Sequence, residues 1–118
     1  MSFNWLFYLN VANHLLSQRS EEYWRSAISR AYYAVFGVVR GILQSQGTQF
    51  KSDNIHRQVI NRLKRHKNPT AQQIGVSLDR LRRERNKADY DDGISISYNE
   101  ASMAIAVARK IQRDLPAL

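Results

Sequence analysis

The run Ala31-Tyr32-Tyr33-Ala34-Val35-Phe36-Gly37-Val38-Val39 constrains the fold more than any other part of the chain. Wound as a helix it is apolar or aromatic on every side, and a helix without a polar face must be surrounded by protein. It sits inside a longer helical stretch. Ser20 reads as the N-cap, Glu21 and Glu22 fill the first turn where the helix dipole favours acids, and the pattern runs to about Gln46 before Gly47 stops it. On a wheel of about 100° per residue, Ala27, Ala34, Gly37 and Gly41 share one narrow face with Arg30. A mid-helix glycine costs about 1 kcal/mol relative to alanine, a cost offset where a neighbour must approach closely. That neighbour is another helix of this chain or a second protomer.

The rest of the chain supplies helices to surround this one. A first helix is expected from Asn4 to Gln18, with Trp5, Leu9, Ala12 and Leu16 on one stripe. A third runs from Asp53 to His66 with Ile55, Val59, Ile60 and Leu63 facing inward. Thr70 with Gln73 makes a capping box for a fourth, reaching Asp92, and Ser97 with Glu100 makes another for a fifth, ending near Leu115 before Pro116. With two prolines, no strand-like alternation and no repeat, the expectation is an all-α, four-to-five-helix up-and-down bundle forming one domain over residues 1–118. A hydrophobic fraction of 43% is enough to build its core. No apolar run approaches the ~20 residues that span a bilayer, and the N-terminus lacks a basic-then-apolar leader plan, so no membrane partner is expected. The absence of cysteine removes thiol catalysis and thiolate metal sites and fits a reducing, cytoplasmic setting.

The net charge of +8 is concentrated. Lys51 to Lys87 carries eleven Lys/Arg against Asp53, Asp79 and Glu84, and the remainder of the chain is balanced. Such a segment is either a solvated, repulsive face or a surface for phosphates. Within it the inward stripe of the fourth helix reads Ile74, Leu78, Leu81, Arg85, Ala88, which sets an arginine in line with core positions. Asp89 follows at i+4, within pairing distance. Two readings stay open. An Arg85–Asp89 pair, shared with Tyr32 or Tyr33, fixes helix register, or the guanidinium stands in a cleft for an anion.

Ser29-Arg30-Ala31-Tyr32-Tyr33-Ala34-Val35-Phe36 on one helix, and Arg85-Asn86-Lys87-Ala88-Asp89-Tyr90-Asp91-Asp92 late on another, resemble the HEPN superfamily. The closer similarity is to its small stand-alone prokaryotic branch with SRAYYA and R-x-K-A-D-Y-D signatures, over roughly Arg25 to Leu115. The resemblance implies a HEPN-like bundle that dimerises, and RNA cleavage in toxin–antitoxin and defence systems. In nuclease members an arginine is followed four to six residues later by a histidine. The arginine stabilises charge on the phosphate and the histidine shuttles the proton, without a metal or other cofactor. Arg85 matches that arginine, Asn86 matches the polar residue after it, and Tyr90 stands in place of the histidine. A phenol, with an ordinary pKa of ~10, is a poor base near neutral pH. A straight helix also turns Tyr90 about 140° away from Arg85, so their convergence is expected to need a distorted helix end or a second protomer.

Three histidines remain as proton carriers: His56 near the start of the third helix, where it could face the cleft; His66 at that helix's end, where a cation suits the dipole; and His14 on the polar side of the first helix. None has metal-ligand spacing to a partner. The expected site is therefore Arg85, Asp89 and Tyr90, with Arg30, Arg57, Arg82, Asn86 and Lys87 contacting RNA. The expected partners are RNA, a second copy of the chain, and a nucleotidyltransferase-type antitoxin for which Tyr90 is a candidate target. The alternative is a non-catalytic helical dimerisation or partner-binding module, in which Arg85, Asp89 and Tyr90 form a structural network.

Overall fold

The computed structural model describes residues 2–118; Met1, the first residue of the expected domain, lies outside them. Among the described residues the order is α1 (Phe7–Leu16), α2 (Glu21–Ser45), α3 (Ile55–Lys64), α4 (Pro69–Tyr90), α5 (Tyr98–Asp114) and a 3-10 turn, Leu115–Ala117, with no strand. This is the expected all-α bundle. α2 is its centre: Tyr32, Val35 and Val39 are fully buried, and α1, α4 and α5 pack around it. The enclosure has an opening at Tyr33, which is half-buried and faces α4 rather than solvent alone. No helix among the described residues is long and apolar enough to cross a membrane.

The glycine-containing face of α2 is met by this chain itself. α1 begins at Phe7, later than expected, because Asn4 Oδ1 accepts from the Leu6 N–H and closes a turn ahead of it. That turn lays the Trp5 indole on Gly37, where a Cβ would overlap the ring. Gly41, one turn on, has open space around it. A second close approach, at Gly75 of α4, has no counterpart in the sequence reading. A Cβ there would lie 2.9 Å from Leu63 Cβ and 3.0 Å from the Lys64 backbone nitrogen. Glycine thus lets α3 rest almost directly on the α4 backbone, while α3 touches α2 only lightly.

The helix ends bear out Ser20 and Ser97 as N-caps by position and correct Thr70. Ser97 Oγ accepts from the Glu100 N–H at 3.1 Å as expected, and the Glu100 carboxylate reaches back to the Ser97 hydroxyl, which donates to it at 3.3 Å, rather than to the Ser97 backbone N–H of a full capping box. Ser20 has the extended backbone of an N-cap but makes no side-chain cap bond. For α4 the cap is Asn68, not Thr70. Asn68 Oδ1 accepts from the Thr70 N–H at 2.8 Å, because Pro69 is preorganised for the first helical position and moves the start back.

Arg25 closes the other end of α4. Its Nη1 donates to the carbonyls of Lys87, Ala88 and Asp91, its Nη2 to that of Ile94 at 2.6 Å, and its Nε to Glu21 Oε2 at 2.7 Å. Glu21 Oε2 also accepts from the Ile96 N–H. The last carbonyls of a helix lack intrahelical donors and carry the negative end of its dipole, and here a guanidinium serves both needs. Those bonds, Arg25 first, hold the Glu21 carboxyl below its ordinary pKa.

The two α2 glycines differ in a measurable way. Gly37→Ala should lower stability in urea denaturation, since overpacking costs ~1–3 kcal/mol against a helix gain of ~1 kcal/mol, and should red-shift tryptophan fluorescence as Trp5 is displaced. Gly41→Ala should stabilise by about 0.5–1 kcal/mol.

Candidate functional site

Ser29, Tyr33, Phe36 and Arg40 recur at i, i+4, i+7 and i+11 and so share one face of α2. Arg82, Arg85 and Asp89 repeat the same rhythm on α4. Where these faces meet, Arg85 is held on every arm. Its Nε donates to Asp89 Oδ2 at 2.9 Å, its Nη1 to Asn86 Oδ1 at 3.0 Å and its Nη2 to Tyr90 Oη at 3.3 Å. Its Cζ lies 5.0 Å above the Tyr33 ring, and only 12% of the side chain remains exposed. Asp89 is steadied in turn by the Ser29 hydroxyl, which donates to its Oδ2 at 3.2 Å.

Tyr90 corrects an expectation. It meets Arg85 within one chain and without a broken helix, since α4 is regular through Tyr90 and the Asp91 N–H still bonds to Lys87 O. Helical side chains lean toward the N-terminus, and two long side chains span the angle that separates their Cα atoms. The phenol is 74% exposed, so it forms the outer lip of the site.

The third wall is α3. His56 Nδ1 lies 2.6 Å from the Tyr32 hydroxyl, and its ring stacks on Phe36 at 4.3 Å and meets the Tyr33 edge at 6.1 Å. Burial, then the charges of Arg82, Arg85 and Arg40, hold the imidazole below its ordinary pKa. Burial pushes the Tyr32 hydroxyl well above its own, so it stays protonated. Arg82 makes no ion pair, and its Nε is buried without a hydrogen-bond partner among the described residues. Three guanidinium charges therefore act on His56, while Asp89 pairs with Arg85 and Asp79, paired on the α3–α4 seam, acts on Tyr32. The net field there suits an anion.

The structure brings Arg82, Arg85, Asn86, Asp89 and Tyr90 together and leaves three expected residues outside. Arg30 lies over the Tyr8 ring at 4.9 Å, on the α1 side of α2. Arg57 lies by the α3–α4 seam, where it adds to Lys64 and Arg83 in lowering the Asp79 carboxyl; the Lys64 hydrogen bond is the largest cause. Lys87 points round α4 toward Glu84 and the groove against α5, lined also by Arg80 and Met103. His66 lies beyond the end of α3, where its Nδ1 accepts from the Asn68 N–H at 3.0 Å and shapes the turn into α4. Among the described residues no cluster of His, Asp or Glu is arranged to hold a metal. Ser29 and Arg40 join the site although the expected set lacks them, and the α2 spacing that carries them is visible in the sequence; of the two tyrosines expected beside Arg85, Tyr33 meets it and Tyr32 binds His56.

The HEPN domain model matches residues 6–116, nearly the whole chain and both walls of the cleft. The chain belongs to the HEPN family. No curated protein and no solved structure gives a significant match. Membership fits the five-helix bundle and gives this HEPN chain an RNA-related or nuclease-like association at the level of the family.

The state of His56 is directly measurable. In an NMR titration its ring should titrate below the ordinary value of ~6.5, and Arg82→Gln should move it back up. The unfolded chain takes this proton more readily than the folded one. Stability should therefore fall as pH drops through about 6.5 toward the lowered folded value.

Proposed function

We propose that this HEPN protein binds RNA at the Arg82–Arg85 cleft and cleaves it without a metal ion, as the toxin-like component of a two-gene module with a nucleotidyltransferase as antitoxin. The observation that carries this reading is the half-enclosed Arg85 guanidinium, stacked over the Tyr33 ring whose edge meets His56, with the charges of Arg82 and Arg40 also acting on that imidazole. A phosphodiester supplies negative charge and acceptor oxygens for such a site, and charge-assisted bonds to phosphate are the strong ones. Arg85, aimed by Asp89 and Asn86, is placed to stabilise charge that grows on the phosphate during cleavage. The Tyr90 hydroxyl at the lip offers a further donor and is open to an antitoxin that would modify it. Arg57, with the exposed bases of α3, extends the positive surface beyond the cleft; Arg30 and Lys87 contribute as outlying charges.

A second reading has its own observation. The three bonded arms of Arg85 all stay within α4, which is also what a purely structural network would show. Arg85→Ala separates the two. On the RNA reading, binding to single-stranded RNA at low salt is lost or falls at least tenfold, and the melting temperature shifts by less than about 5 °C, the equivalent of ~1 kcal/mol. For the wild type, log affinity should fall linearly with log salt, by about 0.7 per phosphate neutralised on a single strand. A large drop in melting temperature with RNA binding retained would favour the structural module.

We also propose a homodimer. Phe3, Phe7 and Val11 form an exposed apolar surface at the start of the chain, a pattern that marks association sites. Sedimentation at micromolar concentration should show a species twice the 13.7 kDa chain mass; a monomer alone would remove this part of the reading.

A further inference from the structure

We propose that His56, which stands on α3 outside the arginine motif, is the proton-carrying catalytic residue of the cleft, with its Nε2 facing the RNA and its Nδ1 steered by the Tyr32 hydroxyl. The inference rests on the RNA-cleavage reading and deepens it by naming the group that replaces the motif histidine.

The geometry is that of a prepared imidazole. Phe36 covers one face of the ring, Tyr33 meets it edge-on, and Tyr32 binds one nitrogen. The other nitrogen, Nε2, makes no hydrogen bond within the chain, and it is not among the buried polar atoms that lack a partner. Nε2 is therefore the free, accessible nitrogen. Tyr33 joins the two halves of the site: one ring carries the Arg85 guanidinium at 5.0 Å and meets the His56 ring at 6.1 Å. Arg85 and His56 thus share Tyr33 as a common wall, and the substrate phosphate would sit in the space between them. Tyr90, by contrast, is tied to Arg85 at the lip.

The charged and titratable groups around His56 come from two elements. α2 contributes Tyr32, Tyr33 and Arg40; α4 contributes Arg82 and Arg85, and also Asp79, which acts on the Tyr32 hydroxyl. No carboxylate is in contact with the ring, so nothing holds it as a cation before substrate arrives. A bound phosphodiester changes that, since its charge offsets the guanidiniums and makes the imidazole a better proton acceptor. For Nε2 to take a proton the neutral ring must carry its own on Nδ1, and the Tyr32 oxygen accepts from that N–H both before and after the transfer, fixing the tautomer.

The step balances with groups already present. The ribose 2′-hydroxyl gives its proton to His56 Nε2 as the 2′-oxygen forms a bond to the adjacent phosphorus. The bond from phosphorus to the 5′-oxygen breaks with its electron pair on that oxygen. The proton held on Nε2 passes to the departing 5′-oxygen, directly or through one water. The products are a 2′,3′-cyclic phosphate and a 5′-hydroxyl. No water is consumed and no metal is needed.

The test compares the full-length wild type with His56→Gln, His56→Ala and Tyr32→Phe on total bacterial RNA and on labelled mixed-sequence single-stranded RNA. His56→Gln should bind within about twofold of the wild type and cleave 10²–10⁴-fold more slowly, the usual range for loss of general acid–base catalysis. The acid limb of the wild-type pH–rate profile should disappear from any residual activity. Tyr32→Phe should keep binding while lowering the rate and shifting that limb. If His56→Gln folds poorly, added imidazole should restore cleavage, with cyclic-phosphate ends, to His56→Ala. His56 variants that cleave at the wild-type rate with the wild-type pH profile would overturn the inference and leave the RNA-cleavage reading standing. A wild type that binds RNA and never cleaves it would overturn this inference and the cleavage half of that reading. A wild type that neither binds nor cleaves would overturn both entirely.

Discussion

The cleft depends on how α4 ends, and α4 ends on Arg25. One guanidinium takes up four backbone carbonyls from the close of α4 and the segment after it, while Glu21 neutralises the guanidinium and holds the Ile96 N–H. Without such a partner the last turn of a helix tends to fray. Asp89 and Tyr90 lie in that last turn, so the side chains that aim Arg85 are ordered by a residue from the first turns of α2. Arg25 also ties the start of α2 to the start of α5. The three helices that carry most of the core are thereby registered at one point.

The positive charge divides into two uses. Lys64 and Arg83 share Asp79 in a small network on the α3–α4 seam, and exposed pairs of this kind add little to stability. The arginines around His56 are different. Arg85 has one carboxylate and lies over the Tyr33 ring of α2, while Arg82 pairs with no carboxylate among the described residues and has its Nε buried. The same excess that would only solvate a flat surface becomes a directed field when half-enclosed, because partly buried charges are screened less by salt and solvent. Enclosure therefore matters more than the number of bases.

Much of this is legible in the sequence. The apolar run on α2 announced a central helix, Ser97 with Glu100 announced the start of α5, and the interrupted stripe on α4 singled out Arg85. Each is a local periodicity or a short-range bond, which a sequence displays directly. Asn68 was passed over for Thr70 because both are good caps and only the path of the chain decides between them. The meeting of Tyr90 with Arg85 was hidden because a wheel records Cα directions and ignores the reach of long side chains. His56 could be named as a candidate but not placed, since its position depends on a contact between α3 and α2 that no spacing encodes. Arg25 was invisible for the same reason, as its partners are backbone carbonyls, which have no sequence signature.

The glycine at position 75 bears on how the two halves of the cleft are held in register. α3 has ten residues, too few to hold a helix in water without support. Its support is chiefly the close contact that Gly75 permits on α4, through which Val59, Ile60 and Leu63 join the common core. The helix that carries Arg82 and Arg85 is thus also the seat of the helix that carries His56. A side chain at position 75 would lift the imidazole relative to the guanidiniums, so the spacing inside the cleft is set by an atom that is absent.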